Sequence, residues 1–416
     1  MQRIRDFINK NLKAIHTPIF SILAFAIPFI VVALIMTKMN WTPFGDKSST
    51  MMTLDMQSQY VVFMRYYREV LLGNQSGIYT GAKVFGGDFM SIYSYYLASP
   101  FNYFLVFCSS KDIPAFFAVT SLLKMSFAGL FAYFALRFTT GKDNPLHLVP
   151  AIGYALISYS FIYMYDFMWL DGVMILPLVV LGLNKLEHAK CRWIYPLSIG
   201  YSLMTSWYIG AMICIFAVVY FVYKALSKKR DQKDLLSFSV RFAIFSLIGG
   251  LIAAPFWLTA FMHLGGTKGS FAIPENEIMS LSTFFGGFLE NHYFTYGDIA
   301  RNQGFFSMFV GTVVLVFFQL YFFNKSYTLR DRLVSLILPL FYFVGMMSRS
   351  MNAIYHGGRE PTWFPGRYSF ILGFVVCYFA GLSLDDIKKT WKPGFAMPLL
   401  GALIVFTVTK FVPSDL

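Results

Sequence analysis

Three groups of polar side chains interrupt an otherwise apolar sequence, and each is built from residue types that exchange protons or hold anions. The first is Leu54-Asp55-Met56-Gln57-Ser58-Gln59-Tyr60, where Asp55 and Gln59 stand four apart and share one face of a helix. Asp55 is the foremost candidate for chemistry in the chain; the alternative is that its carboxylate only complements a helix N-terminus. Asp46, in Phe44-Gly45-Asp46, is more simply a turn aspartate.

The second group is Tyr165-Asp166-Phe167-Met168-Trp169-Leu170-Asp171-Gly172, which sets the carboxylates Asp166 and Asp171 beside the amphipathic ring of Trp169. Solvated loop acids under an aromatic belt are the competing reading. Ser206-Trp207-Tyr208 follows as a further turn, with Tyr208 as an interface anchor.

The third runs from His356 to Tyr368 and holds Arg359 and Arg367. A guanidinium presents a planar fork matched to phosphate oxygens, so these two arginines suit an anionic lipid substrate as well as a loop carboxylate or a headgroup. His356 alone signals little. No phosphate-cradling glycine loop with its lysine, no dinucleotide fingerprint and no paired-histidine zinc motif is present, so the sequence gives no support to ATP-driven transport, dinucleotide chemistry or zinc proteolysis. A proton-coupled carrier is weakened by the lack of charged relays in the apolar segments, with Lys124 the exception.

These groups must be held by membrane helices. Of 416 residues 57% are hydrophobic and only 13% charged, a balance no soluble core can absorb. About eleven apolar stretches are read as spans, near 18-37, 113-136, 147-164, 172-187, 193-207, 209-224, 238-262, 305-323, 332-348, 368-384 and 395-412. Hydrocarbon leaves backbone amides no partner outside a helix. The net charge of +13 is scattered between these stretches and forms no stripe for nucleic acid. Most of the Lys and Arg residues, Lys10, Arg137, Lys185, Lys224, Arg330 and Lys388 among them, fall in alternate loops, which predicts a cytoplasmic N-terminus.

Parity then makes 38-112 a long outer loop. Within it, Tyr60, Met64, Tyr67 and Leu71 recur at helical spacing, predicting an amphipathic helix near 54-72 on the outer membrane surface, stopped by Gly73. The apolar piece 91-107 is expected to kink at Pro100 as a re-entrant or interfacial segment, and 263-304 forms a second large outer loop. The four cysteines lack metal or disulfide spacing and read as small buried hydrophobes. The expectation is therefore an all-α polytopic membrane protein whose 416 residues form one transmembrane domain.

Several stretches carry a resemblance: Gly45-Asp46 with Leu54-Asp55-Met56-Gln57-Ser58-Gln59-Tyr60, Tyr93-Ser94-Tyr95-Tyr96-Leu97-Ala98-Ser99-Pro100, Met168-Trp169-Leu170-Asp171, Trp207-Tyr208-Ile209-Gly210 and Pro365-Gly366-Arg367-Tyr368-Ser369-Phe370. Together they resemble the YfhO family of bacterial membrane proteins, placed with the GT-C class of polytopic glycosyltransferases. The resemblance implies a GT-C-like bundle in the bacterial plasma membrane. It implies an enzyme that moves a sugar from a polyprenyl-phosphate-linked donor to a cell-envelope polymer, such as a teichoic acid, on the outer face. Asp55 would then be the catalytic base, with Arg367 and Arg359 on the donor phosphate; some relatives of the class bind a divalent metal, for which the sequence names no ligand set. A lipid-linked saccharide flippase or exporter and a catalytically silent scaffold for envelope assembly remain as alternatives. The chain ends at Pro413-Ser414-Asp415-Leu416, where family members usually continue with further spans and an outer domain, so the acceptor site is expected to be incomplete.

Overall fold

The computed structural model describes residues 2–81, 86–267, 273–289, 306–361, 363–364, 366–390, 394 and 396–403. Helices supply almost all of the regular structure, as a bilayer requires of backbone amides. Among the described residues the only strands are the short antiparallel pair Tyr79–Thr80 and Gly87–Asp88. Among the helices are α1 (Gln2–Lys38), α2 (Val61–Leu71), α3 (Ile113–Thr140), α4 (Trp169–Glu187), α5 (Ile194–Thr205), α6 (Trp207–Ser227), α7 (Gln232–Ile252), α8 (Thr312–Tyr321) and α9 (Ser369–Leu384).

Among the described residues six helical stretches are long and apolar enough to cross a membrane: Pro18–Lys38 of α1, α3, Pro145–Ile162, α4, α6 and α7. The apolar helices α8 and α9 are shorter. Three stretches expected as single spans are divided. The one near 147-164 breaks at Leu156 and Ile157, between the helices Leu148–Ala155 and Ser158–Ile162. The one near 238-262 breaks at Ala253 between α7 and Ala254–Thr267, just before Pro255, and the one near 332-348 breaks at Leu336, ahead of Pro339. Proline supplies no N–H to the preceding turn and clashes with it. Most of 395-412 and much of the 263-304 loop lie outside the described residues.

The bundle is layered around α4, whose apolar window is 89% buried, whereas those of α1 and α7 are 22% and 11% buried. A helix apolar on every side belongs in a protein interior; one that leaves Ile22, Leu34, Leu247 and Leu251 exposed needs lipid beside it. Helices α3, α5 and α6 pack on α4, and α1 packs on α3. The last contact depends on Gly129, where a Cβ would come within 2.5 Å of the Ala24 carbonyl oxygen. Small residues permit this approach where no hydrophobic force drives membrane helices together.

The first loop is ordered by its own aromatics. A wide helical turn, Met56–Tyr60, leads into α2, and the predicted face of Tyr60, Met64 and Tyr67 is buried. That face packs against protein, toward α3 and the 3-10 helix Pro100–Phe107. The left-handed Gly73, at φ 78°, follows the end of α2. Segment 91-107 is broken as Pro100 demands, with a turn over Tyr93–Leu97 and extended backbone at Ser99 before the 3-10 helix. The cysteines are all free, but only Cys377 is fully buried; Cys191 is exposed, which corrects the uniform burial expected of them. It sits in the short polar connection between α4 and α5, where no apolar neighbour covers it.

Candidate functional site

The N-terminal ends of α4, α6 and α9 meet the start of the first-loop helix, and this junction gathers residues from distant parts of the chain. Arg367, two residues before α9, has its guanidinium carbon 5.2 Å from the Trp169 ring and 5.1 Å from the Tyr208 ring. One of its terminal nitrogens donates to the Trp363 carbonyl at 2.8 Å, while Nε is buried without an acceptor. Stacking of this kind holds the fork flat and contributes about 0.5–2 kcal/mol.

Facing it, Asp166 is buried in the turn before α4. Its Oδ1 accepts the Tyr60 hydroxyl at 2.7 Å, and its Oδ2 has no partner. Burial pushes this carboxyl up to about 7, against the Tyr60 hydrogen bond and the Arg367 charge, with the Asp55 charge adding to the rise. Asp55 itself is exposed at the opening of the Met56–Tyr60 turn, and its charge also bears on Tyr96 and Tyr165. Asp55 therefore stands at the open edge of the cluster, and Asp166 inside it.

His356 completes the wall. It is buried, its ring lies 5.9 Å from Tyr208 and 5.7 Å from Tyr368, and Nδ1 is 2.7 Å from the Asn352 carbonyl, so Nδ1 carries the proton and donates. Burial, reinforced by Arg367, pushes its imidazole down to about 3, leaving it neutral at physiological pH with an unpartnered Nε2. The Tyr165 hydroxyl is likewise buried without a partner. Buried polar atoms are nearly always satisfied. Arg367 Nε, Asp166 Oδ2, His356 Nε2 and Tyr165 OH thus offer donors and acceptors to a polar ligand at one junction.

Other candidates are placed differently. Asp171 is not a solvated turn acid: it lies in the first turn of α4, fully buried. Its Oδ2 takes Lys124 Nζ at 2.7 Å, and its Oδ1 accepts Ser99 at 2.9 Å and Tyr201 at 2.7 Å. Lys124 also donates to the Phe167 carbonyl at 3.0 Å. The buried charge of α3 therefore has its counterion, and the pair ties the first loop, α3, α4 and α5 into one knot. Asp46 closes a turn, accepting the Ser48 N–H at 2.9 Å. Gln59 is half-buried, and among the described residues no contact joins Arg359 to Arg367.

The sequence missed Arg349. It reaches both oxygens of Glu360, at 2.7 and 2.8 Å, and Glu277 at 3.0 Å, bracing the loop before Arg367. It also missed the Tyr60–Asp166 bond; tyrosine on a buried helical face reads as packing until its partner is seen. Among the described residues no group of three His, Cys, Asp or Glu side chains converges.

The stretches that contribute to this junction, 55-60, 93-100, 168-171, 207-210 and 366-370, are among those that carry the family resemblance. The sequence profile of the family described as bacterial membrane protein YfhO matches residues 24–415. The chain belongs to the YfhO family. No curated protein matches it. As a YfhO member it is a membrane protein.

Proposed function

We propose that this junction is the active site of an inverting glycosyltransferase of the GT-C kind, which moves a sugar from a polyprenyl-phosphate-linked donor to a cell-envelope polymer such as a teichoic acid. One observation carries the reading. A permanently charged guanidinium, held against the rings of Trp169 and Tyr208, keeps Nε unpartnered while its charge bears on the buried Asp166, on which the exposed Asp55 also acts. A donor phosphate takes the Arg367 fork. The acceptor hydroxyl comes to Asp55 from the open edge.

The hydroxyl oxygen attacks the anomeric carbon from the side opposite the phosphate, and its proton passes to the Asp55 carboxylate. The bond from the anomeric carbon to the phosphate oxygen breaks, and polyprenyl phosphate leaves with the electron pair. Configuration at the carbon inverts. Arg367 stabilises the charge that grows on the departing oxygen, and Arg359 belongs to the rim. The bias of basic residues toward alternate loops supports a cytoplasmic N-terminus, with this junction on the outer side.

The test is transfer by the full chain reconstituted in liposomes with a polyprenyl-phosphate sugar and an acceptor. Asp55→Asn is expected to lose about 10²- to 10⁴-fold in rate, the usual worth of a general base. Full transfer by the variant removes Asp55 from that role. Absence of transfer in both proteins, with carrier movement between leaflets intact, favours a flippase; absence of both activities favours a scaffold.

A further inference from the structure

The helices that begin at the Arg367 junction end at a second feature. Helix α4 runs from Trp169 to Lys185 and Glu187, α6 from Trp207 to Lys224, and α9 from Ser369 to Leu384. At 1.5 Å per residue the first spans about 28 Å, close to the thickness of a hydrocarbon core. A cavity of about 1820 Å³ opens at that far end. Arg137, Lys142, Lys185, Lys190, Lys224 and Lys228 line it, against the acids Asp143 and Asp331.

The neighbouring acids do not neutralise all of these cations. Glu187 holds Lys224 at 2.7 Å and Lys228 at 3.2 Å, Asp385 holds Lys142 at 2.6 Å, and Asp143 lies 3.6 Å from Arg137. Among the described residues no carboxylate pairs with Lys185, whose ammonium lies 5.2 Å from the Phe138 ring centre, or with Lys190. The cavity keeps at least two uncompensated positive charges.

Its walls are ordered from apolar to basic along two helices. On α4, Leu178, Leu181 and Lys185 recur at i, i+3 and i+7, followed by His188; on α3, Phe131, Phe134 and Phe138 do the same beside Arg137. Such residues lie on one helix face, with about 10 Å of rise between first and last. Between the two stripes the Asn184 amide donates to Thr139 at 2.8 Å and to the Tyr378 hydroxyl at 3.2 Å, a polar floor at membrane depth. A free anion has no use for the apolar half of this surface, and a neutral lipid has none for the basic half.

We propose that this cavity binds a phosphate-headed lipid, with the head at Lys185 and Lys190 and the chain along Leu178, Leu181, Phe131 and Phe134. This is a site separate from the Arg367 junction and on the opposite face of the membrane, and it depends on no transfer chemistry. A phosphate oxygen accepts from the two ammonium groups, and the chain covers the half-buried Leu178, Phe131 and Phe134 and reaches the edge of the buried Leu181.

Native mass spectrometry of the full chain in detergent, with farnesyl phosphate, farnesol and inorganic phosphate as probes, tests it. Two farnesyl phosphates are expected on the wild type. One is expected on the double variant Lys185→Gln, Lys190→Gln, with at least a tenfold weaker affinity at the lost site, and Lys185→Arg, Lys190→Arg should restore the second. The Arg367→Lys variant should leave affinity at this cavity unchanged, so failure of the transfer reading does not remove the site. Unaltered occupancy in the glutamine variant overturns the proposal. So does inorganic phosphate binding as tightly as farnesyl phosphate, which would assign the cavity to a free anion, or farnesol binding equally well.

Discussion

At the scale of single residues, Arg367 and Asp166 set opposite demands on a donor. Arg367→Lys keeps the charge but removes the planar fork and its stacking on Trp169 and Tyr208. A fall of about tenfold or more in kcat/KM for the donor is expected, equivalent to ~1.4 kcal/mol of transition-state binding. Asp166 adds a pH dependence. With its carboxyl near 7, it is mostly ionised at pH 8 and mostly protonated at pH 6, whereas a phosphodiester donor keeps one charge throughout. Protonation removes repulsion of the donor, so KM should fall about three- to tenfold from pH 8 to 6, and Asp166→Asn should flatten the profile at the low-KM level. An unchanged pH profile in that variant would separate Asp166 from donor binding. For stability the sign is also fixed. The folded carboxyl titrates above the unfolded value of about 3.9, so its contribution is full below that value and is lost as pH rises through about 7.

At the scale of elements, the Lys124–Asp171 pair and Gly129 decide whether the frame under the site holds. Lys124→Met strands a buried carboxylate and is expected to cost about 3–5 kcal/mol, read as a lower midpoint in thermal or denaturant unfolding in detergent. The double variant Lys124→Met, Asp171→Leu should be less destabilised than the two single losses added together, by a coupling of about 0.5–3 kcal/mol. Strict additivity would deny the pair its role. Gly129→Leu drives a side chain into the Ala24 carbonyl and Pro28, and about 1–3 kcal/mol of overpacking should loosen α1 first, seen as earlier proteolysis of its N-terminal half.

These elements also mark what the sequence made legible. The period of Tyr60, Met64 and Tyr67 gave the buried face of α2, and Pro100 gave the break in 91-107, because both signals are local. What the face packs against was not legible, since the Tyr60 partner Asp166 lies 106 positions on. The partners of Asp171 were not legible for the same reason: from the sequence it is an acid beside a tryptophan, and only folding brings Lys124, Ser99 and Tyr201 to it. The residues of the Arg367 junction were picked out one stretch at a time, but their convergence depends on α4, α6 and α9 starting at one level.

At the scale of the whole molecule, two polar sites stand at opposite ends of shared helices, and natural cysteines report which end faces which compartment. Cys191 is exposed beside the basic cavity, while Cys377 is buried within α9. In right-side-out vesicles a membrane-impermeant maleimide should leave Cys191 unlabelled until the membrane is opened, and Cys377 should stay unlabelled until the protein is denatured. Labelling of Cys191 in sealed vesicles would invert the proposed topology and place Asp55 in the cytosol.

The burial of α4 also has a consequence for how the protein is made. A helix shielded from lipid on nearly every side must still enter the bilayer during synthesis, when few of its final neighbours exist. Released alone, it would carry Asp171 into an apolar setting, at a cost of a few kcal/mol for an uncompensated acid at depth. The chain order answers this: α3 emerges first and brings Lys124, so the buried charge of α4 meets its counterion as soon as α4 follows the intervening span Pro145–Ile162. Biogenesis then proceeds outward from that paired core, and a chain lacking Lys124 is expected to accumulate in the membrane at a lower level than the wild type.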